Sequence, residues 1–178
     1  MNRKRIILIF IVILIISLIL SFNYISAYSE KLTKTTDLSN EAIGEIKLHE
    51  NIEALHFKER YSEVLDKDDN ALYDYYHWKG GLETASINEG KAKGIILRLV
   101  IEGKDDSPFN NSLQTYRGIK LGTKKSKIIS EYGENYYKSS EQGANIIGYV
   151  DHENNITLEF WCDSNNRVFE IRLDDIKI

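Results

Sequence analysis

The residues best suited to chemistry in this chain are four histidines (His49, His56, His77, His152), a single cysteine (Cys162) and 27 acidic residues. Two helical histidines share a metal ion when they stand at i and i+4, within one turn. His49 and His56 are seven apart, on roughly the same side of a helix but two turns distant. Asp74 and His77 fall on opposite faces of a strand, and Asp151-His152-Glu153 precedes a hairpin turn, where charged residues are ordinary. No metal site and no cofactor are expected.

Nucleophilic catalysis has no better footing. The chain holds many serines but no G-x-S-x-G elbow and no Cys–His motif. Cys162 has no partner for an internal disulfide, and it alternates with Leu158 and Phe160, so it reads as a buried strand residue. Gly118 to Gly122 is followed by Thr123-Lys124 without the glycine–lysine spacing of a phosphate loop. Carboxylate pairs of the kind glycosidases use are inevitable among so many acids, but nothing singles one out. No catalytic residue is assigned and no small-molecule substrate identified.

Aromatic residues are the remaining candidates. Strand parity in Tyr73-Asp74-Tyr75-Tyr76-His77-Trp78 puts Tyr73, Tyr75 and His77 on one face and Asp74, Tyr76 and Trp78 on the other. Trp161 lies on the face opposite Leu158, Phe160 and Cys162. Tyr and Trp are favoured anchors at protein interfaces, so Tyr75, Trp78, Tyr149 and Trp161 are the candidate binding residues. The competing reading is that these rings complete a small core.

The elements that would position them sit in a chain of 178 residues, 42% hydrophobic and 28% charged, with one Pro and one Cys. Such a composition excludes a disordered tail, a collagen-like repeat and a disulfide scaffold. Arg3, Lys4 and Arg5 precede an apolar run, and 20 basic against 27 acidic residues follow it. That balance argues against nucleic acid or an anionic surface as partner. The run itself, residues 6–22, reads as a transmembrane or signal-anchor segment behind a cytoplasmic basic stub at 1–5. The positive-inside rule then places the C-terminal part outside the cell membrane, as a single-pass protein, or secreted if the leader is cleaved.

Residues 23–42 are polar and without period, a spacer, and turn formers at 103–115 mark a linker between two halves, 43–102 and 116–178. Ile46-Lys47-Leu48 recurs as Ile119-Lys120-Leu121, Tyr76 falls opposite Tyr149, and alternating strands end both halves. The second half predicts a helix after Thr123, closed by Gly133, and strands near 145–151, 155–162 and 167–174. The first predicts a helix over about Glu50 to Leu65 and strands near 72–78, 82–87 and 94–102. The expected fold class is α+β: an N-terminal transmembrane helix, then two tandem helix-plus-antiparallel-meander repeats.

The stretch Gly118-Ile119-Lys120-Leu121-Gly122-Thr123, through Ile128 to Tyr132-Gly133, resembles the repeat of beta-lactamase inhibitory protein and of BamE-like lipoproteins. The inhibitor family implies a tandem repeat whose joined sheet forms a concave protein-binding face. Its disulfides have no counterpart here. The resulting expectation is a membrane-anchored extracytoplasmic binding or assembly module, not an enzyme, docking an envelope protein on its sheet face. The alternatives are a cell-envelope enzyme or regulatory subunit acting on wall material, and a structural anchor-spacer.

Overall fold

Alternation in ITLEFWC and VFEIRLDD buries every second side chain on one side, so that Leu158, Phe160, Ile171 and Leu173 are wholly enclosed. The same period organises the rest of the chain. The computed structural model describes residues 11–12, 29–54, 57, 59, 64–78, 81–103 and 113–176. Its strands are β1 (Val64–Asp69), β2 (Tyr73–Trp78), β3 (Leu82–Ile87), β4 (Ile96–Glu102), β5 (Tyr137–Glu141), β6 (Ala144–Asp151), β7 (Ile156–Cys162) and β8 (Val168–Asp175). An eight-residue helix, α1 (Lys125–Tyr132), and a 3-10 turn at Gly90–Ala92 accompany them.

All eight strands form one antiparallel sheet in the order β1-β2-β3-β4-β8-β7-β6-β5. The central pair is β4–β8, where Leu99 faces Leu173 and Ile101 faces Ile171. On one side Tyr76 opposes Thr84, which opposes Leu99; on the other Tyr149 opposes Leu158, which opposes Leu173. The core lies against this face. It is closed by Ile128 and Tyr132 of α1, by helical Phe57 and by Leu38, Ile43, Ile46, Ile52 and Ile119 from loops, turns and isolated bridges.

This architecture corrects the expected fold class. Among the described residues the protein is mainly one eight-stranded sheet, and the layer over it is mostly turns and isolated bridges besides α1. The helix expected from Glu50 to Leu65 is interrupted at its start: Asn51 bridges Ile95, its Oδ1 accepts from the Glu53 amide (2.8 Å), and its Nδ2 donates to the Lys93 carbonyl (3.2 Å). An Asn side chain that captures backbone groups competes with the helical ladder. Of residues 55–63 only Phe57 and Glu59 are described, both helical, and Val64-Leu65 already belong to β1. In the second half Thr123 does not cap α1; its Oγ1 accepts from the Lys120 amide (3.2 Å) and closes the preceding turn. Gly133 ends the helix, its amide donating to the Ile129 carbonyl (2.8 Å), but at φ +88° and ψ −173° it takes an extended glycine conformation, not the left-handed helical one expected.

The membrane expectation is corrected too. Among the described residues no helix is long and apolar enough to cross a membrane. At 1.5 Å per residue, α1 spans about 12 Å against a hydrocarbon core of about 30 Å. The run at 6–22 lies outside the described residues except for Ile11 and Val12. The structure therefore does not support a transmembrane or signal-anchor helix, nor a single-pass cell-membrane placement. The end of the expected spacer is part of the folded body: Leu38 and Ala42 are buried, and the Thr36 amide donates to the Val150 carbonyl (2.7 Å).

Candidate binding face

The period that buries Leu99 and Leu173 turns the intervening side chains to the opposite, open face. Two rungs cross its middle. In one, Asp68 opposes Tyr75, Tyr75 opposes Ala85, Ala85 opposes Arg98, and Arg98 opposes Asp174. In the next, His77 opposes Glu83, Glu83 opposes Val100, Val100 opposes Arg172, and Arg172 opposes Glu159.

Adjacent charges on these rungs hold one another. Arg98 Nε donates to Asp174 Oδ1 (2.5 Å) and its Nη2 to Oδ2 (3.3 Å), a two-pronged pair. Burial lifts the Asp174 carboxyl above the usual range, and the guanidinium against it opposes that rise. Arg172 lies over the Trp161 indole, 3.9 Å from the ring centre, while its Nε donates to Glu170. Glu159 accepts from Trp161 Nε1 (2.9 Å) and from the Tyr137 hydroxyl (2.6 Å). Burial, with Glu159 beside it, holds the Tyr137 phenol far above its ordinary value. His77 Nδ1 stands 3.1 Å from Glu83 Oε1.

Between these groups the surface is hollowed. A cavity of about 270 Å³ is lined by Asp68, Tyr75, His77, Glu83, Arg98 and Val100, among others. A second, of about 420 Å³, extends from Tyr75, Glu83, Arg98 and Val100 to Glu102, Glu141, Phe169 and Arg172. The four shared residues make them one continuous groove.

The four candidate residues divide between the two faces. Tyr75 lines the groove, half-buried, and Trp161 lines its far part, only 4% exposed beneath Arg172. Trp78 and Tyr149 belong to the core. Trp78 packs edge-on against Phe57 (5.0 Å) and donates its Nε1 to Thr84 Oγ1 (3.0 Å). Tyr149 is fully buried and donates its hydroxyl to the Gly133 carbonyl (2.9 Å). Arg98, Arg172, Glu83 and Glu159 were not singled out from sequence. Their signal is the alternation of charge with apolar residues in strands 95–99 and 169–173, which places both arginines on the face away from the core.

The histidines stay apart: His49 Nε2 meets Asp175 (2.7 Å), His77 meets Glu83, and His152 Nε2 meets the Thr33 carbonyl (2.8 Å). His56 lies outside the described residues, among which no cluster of three or more His, Cys, Asp or Glu is arranged to hold a metal ion. Cys162 is buried, its thiol pushed up to about 11 by that burial.

No protein-family model matches the chain. No curated protein matches it either. Among solved structures it is similar to a cysteine-rich secretory protein from Staphylococcus aureus, with 11% identity and a TM-score of 0.46 over 73% of this chain and 45% of that one. The chain thus spans less than half the length of that protein. It is also similar to a DUF4309 family protein from Bacillus subtilis, with 15% identity and a TM-score of 0.41 over 67% of this chain and 76% of that one.

Proposed function

We propose that this protein is a binding module, without catalysis of its own, that docks a protein partner on the open face of its sheet. The observation that carries this reading is the continuous groove across the middle strands, with Tyr75, Val100 and Phe169 in its lining and its arginines held in place by Asp174, Glu170 and Trp161. Side chains fixed before binding lose little freedom on association, and aromatic rings with buried arginines are what protein interfaces select. The scattered histidines, each engaged with a different partner, offer no acid–base pair in the groove beyond His77 and Glu83.

The test places a photocrosslinking amino acid at position 75, in the groove, and separately at position 126, exposed on α1 over the opposite face. Irradiated cells are expected to give discrete protein adducts from position 75 and none from 126. Adducts from 126 alone, or from neither position, contradict the reading.

A further inference from the structure

The groove also indicates the chemistry of its occupant. We infer that it receives an extended polypeptide segment bearing lysine or arginine side chains, one of which seats against Tyr75 between Asp68 and Glu83. This rests on the proposed docking role of the open face.

Three observations carry it. The first is charge: the residues lining the groove include five carboxylates (Asp68, Glu83, Glu102, Glu141, Glu170) but only two guanidinium groups. Arg98 pairs with Asp174, Arg172 with Glu170, and Glu83 stands against His77, so the lining keeps a surplus of carboxylate over guanidinium charge and the surface offered to a partner is acidic. The second is a precedent on the same face. Arg172 is held by an aromatic ring beneath it and a carboxylate beside it, Trp161 and Glu170. Tyr75, with Asp68 opposite it on β1 and Glu83 lining the same cavity, repeats that ring-plus-carboxylate arrangement. Its hydroxyl accepts from Asn70 Nδ2 (3.2 Å) and Tyr73 packs edge-on against its ring, but among the described residues no lysine or arginine lies over that ring.

The third observation is spacing. Carboxylates are spread along the groove, Asp68 in the first cavity, Glu83 where the two cavities meet and Glu102 and Glu141 in the second, with Val100, Ala144 and Phe169 also in the lining. An extended chain whose basic side chains alternate with apolar ones matches this layout, since the methylene stem of lysine or arginine lies along apolar surface while its head reaches a carboxylate. A simple polyamine supplies the charges but nothing for the apolar part.

The experiment immobilises the full chain and selects from a phage-displayed library of random twelve-residue peptides. One comparison is Asp68→Asn with Glu83→Gln; the other is a charge-matched control, Glu89→Gln with Glu134→Gln, two exposed acids outside the groove. The parent protein and the control are expected to enrich Lys- and Arg-containing peptides. A selected peptide should bind the groove variant about tenfold more weakly, a loss that shrinks as salt is raised. Spermidine should compete poorly. Peptides without basic enrichment, equal binding by the groove variant, equal loss in the control, or full displacement by dilute spermidine would each overturn the inference. If position 75 crosslinks a protein whose contacting segment is not basic, the inference fails while the docking role stands; if it crosslinks nothing, both fail.

Discussion

Leu99 stands directly opposite Leu173 at the centre of the sheet, and neither side chain reaches solvent. With Ile101 opposite Ile171, this pair joins the two four-stranded meanders, so truncating either leucine opens a void in the core at their seam. Leu99→Ala and Leu173→Ala are each expected to cost about 2–5 kcal/mol of stability. Because the residues oppose each other, the double variant should cost measurably less or more than the sum. Denaturant titration of all three proteins checks this, and a loss under about 1 kcal/mol for both single variants would mean that β4–β8 is not the central seam.

Gly148 on β6 lies under the ring of Tyr137 on β5, so close that a Cβ at 148 would collide with the ring carbons and the hydroxyl. The same hydroxyl donates to Glu159. Gly148→Ala is therefore expected to push the ring aside, break that hydrogen bond and destabilise the protein by about 1–3 kcal/mol. Adding Tyr137→Ala should remove most of the additional cost of the alanine at 148. A fully additive double variant would contradict the packing described.

Six of the eight strands are marked in the sequence, because β2, β3, β4, β6, β7 and β8 have neighbours on both sides and each carries apolar or aromatic residues at several core positions. The two that are not marked are the sheet edges. β1 (VLDKDD) and β5 (YKSSE) have one neighbour each and carry the charged and polar residues that blunt an edge, so neither shows an apolar period. For the same reason the helix expected over about Glu50 to Leu65 runs into the first two residues of β1 and nothing in the sequence marks the rest of that strand. The candidate face is half legible: parity separates Tyr75 from Trp78, but only the register, with Trp78 opposite buried Leu82, shows which side is core. The arginine pairings need β4 beside β8, a contact between residues 76 apart that no local pattern reveals.

Trp161 reports on the groove. Its indole is covered by the Arg172 guanidinium and packed beside Ala144, Ile146 and Phe169. In a Trp78→Phe background Trp161 is the sole tryptophan of the chain. Arg172→Ala is then expected to shift its emission to longer wavelength, and a double-mutant cycle between 161 and 172 should give a coupling of about 1–2 kcal/mol. Unchanged emission would mean that the guanidinium does not shield the ring.

Two buried carboxyls should give opposite pH signatures. At Asp151, burial opposes ionisation, but hydrogen bonds from Asn154 Nδ2 and from the amides of Leu38, Asn154 and Glu153 outweigh it, and the carboxyl titrates below its ordinary 3.8. Its contribution to stability is thus in place above that value and is lost as pH falls through the lower folded value. At Glu41, burial prevails over hydrogen bonds from the Tyr132 hydroxyl (2.9 Å) and the Tyr116 amide (2.7 Å), and the carboxyl titrates above its ordinary 4.5. Its contribution is in place below 4.5 and is lost as pH rises through the raised folded value. The stability advantage of the parent over Asp151→Asn is therefore expected to shrink as pH is lowered from 6 to 3. Relative to Glu41→Gln, the parent should instead lose ground as pH rises from about 4 to 7. Urea midpoints across that range test both, and parallel curves for parent and variant at either site would contradict the assigned direction.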